Sequence, residues 1–121
     1  VQVVLDALVC PEGEISILFV DDPQIENLNR KYLNREGPTN VIAFPMREGE
    51  YSHLTPHLLG DVVISADTAA REAQRSGMSM EQRINELLVH GILHLFGYDH
   101  ERSEKKARIM GNKSRELMKL V

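Results

Sequence analysis

A single cysteine, Cys10, is all the thiol that the 121 residues contain. It can close no internal disulfide and build no cysteine-rich zinc finger, so a metal site here must use other ligands, and the count suits a reducing cytoplasm. Long apolar runs are missing as well. Runs such as Ile17 to Val20 fall far short of the ~18 residues of a membrane span. The N-terminus has no charged region followed by an apolar stretch and a cleavage site. A soluble, unsecreted, cytoplasmic protein with no membrane partner is expected. An initiator methionine is also lacking, since the chain opens on Val1, and the expectation is that the natural product begins earlier. Nor is there room for a second domain. At 13.7 kDa, with 42% hydrophobic and 26% charged residues, the composition is that of one globular unit. A chain of this size hides roughly two-thirds of its unfolded surface, enough for a core without covalent staples.

Positive charge is in short supply over most of the length. The formal net charge is −4, which argues against a duplex-DNA binder. The average conceals a gradient: residues 1–100 carry seven basic against fifteen acidic residues, a sum of −8, while residues 101–121 carry seven against three, a sum of +4. The basic tail, with Arg102, Lys105, Lys106, Arg108, Lys113, Arg115 and Lys119, is either a solvated helix face or a patch that meets phosphates.

No repeat or low-complexity tract is present, and turn signals cut the chain into short elements. Val1, Val4, Leu5 and Leu8 lie on one helical stripe, although their β-branched content also suits a strand; we read a helix, ended by Pro11. In EISILFV, Ile15, Ile17 and Phe19 alternate as in a half-buried strand. Asp22-Pro23 starts a helix, with Ile25, Leu28 and Tyr32 at helical spacing, that stops near Gly37-Pro38. NVIAF reads as a second strand closed by Pro45, and residues 46–58 as loop. His53 and His57 sit in that loop, where Pro56 argues against helical pairing and favours a surface role. LLGDVVIS is a third strand with Val62 and Ile64 on one face. Ser65 or Asp67 then caps a short helix ending at Gly77. Ser79 and Gln82 form a capping box that opens a long helix running to Gly97, and a last helix spans about Ser103 to Leu120. The pattern is α+β with a small sheet.

Three of the five histidines fall in HGILHLFGYDH, from His90 to His100. His90 and His94, four apart on the long helix, have Cβ atoms about 6 Å apart on one face, so both imidazoles can reach one ion at ~2.0–2.1 Å. A continued helix would carry His100 roughly 240° round the axis and about 9 Å along it, out of reach. Gly97 can take a left-handed turn and swing the chain back. A lone histidine on an apolar helix is more often a packed core residue than a ligand. Three in H-x3-H-x5-H spacing with a glycine break are read as a metal tripod, because an apolar core has no need of three imidazoles. Zinc suits a neutral three-histidine set best, with nickel, cobalt and iron as alternatives, and three protein ligands leave a fourth position open for catalysis. Gly91 stands where H-E-x-x-H peptidases carry their catalytic glutamate, which disfavours that mechanism. Asp99 either orients a ligand imidazole or caps the next helix. No general base is identifiable.

At these residues the chain resembles a known family. HGILHLFGYDH is similar, nearly position by position, to the H-G-x-L-H-L-x-G-Y-D-H signature of the YbeY-type endoribonucleases, bacterial ribosomal-RNA maturation factors. PTNVIAFP at Pro38 to Pro45 and LGDVVIS at Leu59 to Ser65 resemble two further family segments, and the likeness runs from about residue 14 to the end. The resemblance implies that His90, His94 and His100 are zinc ligands, and that the partners are single-stranded RNA, ribosomal RNA above all, and the small ribosomal subunit, with no DNA. Two departures stand out. Family members begin with a strand and a longer first helix, whereas this chain is expected to start inside that helix, which predicts a sheet one strand short with an unpaired edge. The family's frequent arginine after the tyrosine is here Leu33, following Tyr32. Its phosphate-contacting role does not carry over; Arg35 is either a substitute or a solvated residue.

The resulting expectation is one domain over residues 1–121, α+β and zincin-like, with the histidine-bearing helix central and packed on a small mixed sheet. Its expected function is metal-dependent, single-strand-specific endoribonuclease action in ribosomal-RNA maturation and ribosome quality control. The alternatives are a non-catalytic ribosome-assembly factor with a structural ion, and a zinc hydrolase acting on another substrate.

Overall fold

Seven elements follow one another in the computed structural model, which describes residues 4, 8, 13–45, 58–98 and 104–121. They are β1 (Glu14–Val20), α1 (Asp22–Leu33), β2 (Val41–Pro45), β3 (Leu58–Ser65), α2 (Ala66–Ser76), α3 (Met80–Leu95) and α4 (Glu104–Met118). The sheet order is β1-β3-β2. β1 runs parallel to β3, with Ile17 opposite Val62, and β2 runs antiparallel to it, with Ile42 opposite Val63. The small mixed sheet of an α+β fold is therefore present.

The central strand explains the layering. Val62, Val63 and Ile64 are all buried, as in a strand covered on both faces. On one face Val63 and Ile42 pack with Ile25 of α1. On the other, Val62, Ile64 and Leu59 pack with Leu87 and Leu95 of α3 and Ala69 of α2. A bulge between Glu14 and Ile15 makes Leu59 the extra residue of the ladder, which lets it join the cluster of Val62 and Ile64. The opposite side of α3 places Val89, Ile92 and Leu93 against Met110 and Leu117 of α4, together with Val4. Apolar groups thus surround α3 on two sides, and it forms the middle of the molecule.

Several boundaries differ from the sequence reading for local reasons. The cap of α1 is Asp21, one residue before the expected Asp22: its carboxylate accepts the Gln24 N–H at 2.9 Å and the Gln24 side chain accepts the Asp21 N–H at 3.1 Å. The helix stops at Leu33 because Asn34 adopts φ 54°, a left-handed conformation that asparagine tolerates. Phe19 is 53% exposed despite its alternation with Ile15 and Ile17. Ile15 meets both clusters that flank α3, whereas Phe19, beside Ile64 on the outer strand β1, joins neither. Of the N-terminal segment only Val4 and Leu8 are described; Val4 is buried, and the Leu8 N–H donates to the Val4 carbonyl at 3.0 Å, a helical bond. The readings for His53, His57 and Cys10 lie outside the described residues. Among those described, no helix is long and apolar enough to cross a membrane.

Candidate metal centre

The histidine pair depends on how α3 is seated. Ser79 caps its N-terminus, accepting the Gln82 N–H at 3.0 Å, and the helix then runs close over β2 and β3. The approach is closest at Gly91. A Cβ there would lie 2.7 Å from Val62 Cγ1 and 3.4 Å from Val41 Cγ2, so any larger side chain would push the helix off the sheet. Val41, Val62 and Gly91 come from the three segments that carry the family resemblance, and the three meet at this point. The catalytic glutamate of H-E-x-x-H peptidases has no space at this position, which gives a steric reason for what the missing residue type implied.

With the helix so placed, His90 and His94 are partly buried, their ring centroids 4.7 Å apart and their planes at 72°. The two Nε2 atoms converge to 3.1 Å. That is the separation of an N–H···N hydrogen bond when one ring carries the proton. It is also well within the span of two nitrogens bound to one ion at ~2.0–2.1 Å each. The donor set suits a borderline-soft cation.

Immediately after His94 the helix ends as the glycine requires. The Tyr98 N–H donates to the Leu93 carbonyl at 3.0 Å and the Gly97 N–H to that of His94 at 3.0 Å, with Gly97 at φ 91°. This is a Schellman turn, sealed by the packing of Tyr98 onto the cluster containing Leu93. The break predicted between the second and third histidines therefore exists. His100 and Asp99 lie outside the described residues; within these, no group of three metal-binding side chains assembles.

Polar contacts that sequence reasoning missed hold the surroundings. Arg83 of α3 donates to Glu72 of α2 at 2.9 Å and to Glu86 at 3.4 Å. Asn40, just before β2, donates to the same Glu72 at 3.3 Å, while its carbonyl accepts the Ser65 N–H at 2.9 Å. Buried Asn29 donates to the Gly37 carbonyl at 3.0 Å, fixing the turn into β2. Asp22 accepts from the hydroxyls of Ser65 and Thr68 at 2.6 Å each and from Arg71 at 2.7 Å. Those donors, Ser65 first, then Thr68 and Arg71, outweigh partial desolvation and hold its carboxyl down to about 2. Of the phosphate-anchor candidates, Lys105, Lys106 and Arg108 are exposed on α4 and Arg35 is exposed after α1, while Arg102 lies outside the described residues; Leu33, where the family has its arginine, is exposed at the end of α1.

A three-stranded mixed sheet crossed by a helix with convergent imidazoles defines a small α+β protein built around a histidine pair. The endoribonuclease YbeY family model matches residues 1–121, and the chain belongs to that family. It is 52% identical over 119 residues to the endoribonuclease YbeY of Geobacter metallireducens, covering 98% of this chain and 79% of the relative. With that of Syntrophotalea carbinolica it shares 53% over 117 residues, 96% of this chain and 78% of the relative. The solution structure of TM1509 from Thermotoga maritima superposes with a TM-score of 0.62 at 26% identity, over 95% of this chain and 74% of that one.

Proposed function

We propose that the protein is a metal-dependent endoribonuclease that cuts single-stranded RNA in ribosomal-RNA maturation and ribosome quality control, with one zinc-class ion held by His90, His94 and His100. The observation that carries this reading is the convergence of the His90 and His94 Nε2 atoms to 3.1 Å. The endoribonuclease activity for which the family is named supports the substrate class. When bound, such an ion would supply a Lewis acid for a phosphoryl oxygen and lower the pKa of a water molecule towards about 7. The chain's own part is positional. Gly91 sets the depth at which α3 sits, Val41 and Val62 form the floor beneath it, and the Gly97 turn redirects the backbone directly after the second ligand.

The test is elemental analysis and RNA cleavage on one preparation, for the wild type and His94→Ala. The wild type should hold one ion per chain and cut single strands in preference to duplex, and the variant should lose both ion and cleavage. Stoichiometric metal in the variant would overturn the ligand set, and equal cutting of duplex the strand preference. A metal-loaded wild type that binds RNA and leaves it intact would favour the assembly-factor reading, with a structural ion closed by four protein ligands.

A further inference from the structure

The last turn of α1 exposes an aromatic ring among cations, on the side of the sheet away from α3. Tyr32 is 57% exposed. Its ring meets that of Phe44 edge to face, with centroids 5.5 Å apart, and Phe44 packs on the Ile25–Ile42–Val63 cluster, so the platform is backed by the core. Lys31 Nζ stands 5.2 Å from the Tyr32 centroid, and Arg30 is steadied by donation to Asn27 at 3.1 Å. These four residues of α1 (Asn27, Arg30, Lys31 and Tyr32) and Leu28 line one open depression. Basic side chains at a helix C-terminus are accounted for by the helix dipole. The dipole gives no reason to present an aromatic face to solvent beside them.

We propose that this depression is a subsite for single-stranded RNA, in which one unpaired base stacks on Tyr32 while Lys31 and Arg30 meet the flanking phosphates. The proposal rests on the RNA-cleaving reading above and adds a place where the strand is gripped. An unpaired base has a free π-face and a charged neighbour on each side, which is the pairing this surface offers. An exposed cation–ring contact is weaker than base stacking, so Lys31 yields the ring to the base and turns to the phosphate. The subsite lies across β2 from the histidine pair: Phe44 supports Tyr32 on one face of that strand, and Val41 meets Gly91 on the other. In the described sheet β2 is one of the two outer strands, so a strand of RNA passing over its edge reaches both.

The experiment measures binding of a fluorescein-labelled ten-residue oligoadenylate and of the same backbone without bases, with intactness of the oligomers checked on gels. Tyr32→Ala should weaken binding of the oligoadenylate roughly five- to hundredfold. Tyr32→Phe should restore it, and on the abasic strand Tyr32→Ala and wild type should bind alike. Lys31→Ala should weaken both oligomers and flatten the salt dependence by about one unit of logarithmic slope. If Tyr32→Ala binds oligoadenylate as the wild type does, or if its penalty persists on the abasic strand, the stacking subsite is overturned while the nuclease reading stands. A wild type that neither binds nor cuts RNA removes the underlying reading, and the subsite with it.

Discussion

Asp22 joins the start of α1 to the start of α2, and its carboxyl is held at about 2 against an ordinary value of 3.8. A carboxyl whose folded value is depressed contributes stability above the unfolded value and loses it as pH falls through the folded one. The contribution should therefore be complete above about pH 4 and fade towards pH 2. Urea midpoints of wild type and Asp22→Asn should differ at pH 5 and converge by pH 2; a gap independent of pH over that window would show that the ionised carboxylate contributes nothing. Little of this clamp was legible in the sequence. Ser65 was visible as a cap because capping is local, but its bond to Asp22 spans 43 positions. The same holds for Asn40 and Arg83, which meet on Glu72 only after the sheet and two helices have assembled. Nothing local marks Asn29, which only tertiary packing makes buried.

In α3 local chemistry and tertiary role agree, which is why this helix was the most readable part of the chain. Capping at Ser79, apolar spacing through Leu87 and Leu95 and the glycine stop are all short-range signals, and so is the i, i+4 placement of His90 and His94. The strand β1 was readable as a strand, but its alternation could not report that it lies at the sheet's edge, where Phe19 stays exposed. Two helices, α2 and α3, end in Schellman turns, with Gly77 at φ 67° and Gly97 at φ 91°, and this permits a controlled comparison. Alanine at either position should cost about 1–2 kcal/mol, the strain of a left-handed residue with a Cβ. Only Gly97→Ala should also weaken zinc binding, because the chain between His94 and His100 passes through it. Thermal unfolding and zinc titration of both variants check this; equal zinc affinity would mean that the Gly97 turn does not set the position of the proposed third ligand.

Viewed as one molecule, the protein pairs an acidic first hundred residues with a basic last helix. The exposed Lys105 and Lys106 of α4 are the candidates to offset the repulsion between the acidic body and RNA. Changing both to alanine should weaken RNA affinity and lower the salt slope by about one unit for each phosphate that is no longer neutralised, with metal content unchanged. Unaltered affinity and slope would assign them to solvent and leave the α1 terminus with Arg30 and Lys31 as the main anchor. Charge gradients of this kind are readable from sequence, but the faces that carry them are not, since these depend on which side of α4 Met110 and Leu117 bury. The seat of Gly91 has a kinetic consequence. Its socket is made of Val41 and Val62 from two different strands, so it is complete only once β2 and β3 have paired, and the expectation is that α3 docks onto a sheet already formed. Gly91→Ala should accordingly accelerate unfolding and leave the refolding rate nearly unchanged, a partition that stopped-flow chevrons would resolve. The histidine pair would then be among the last features of the protein to form and among the first to come apart.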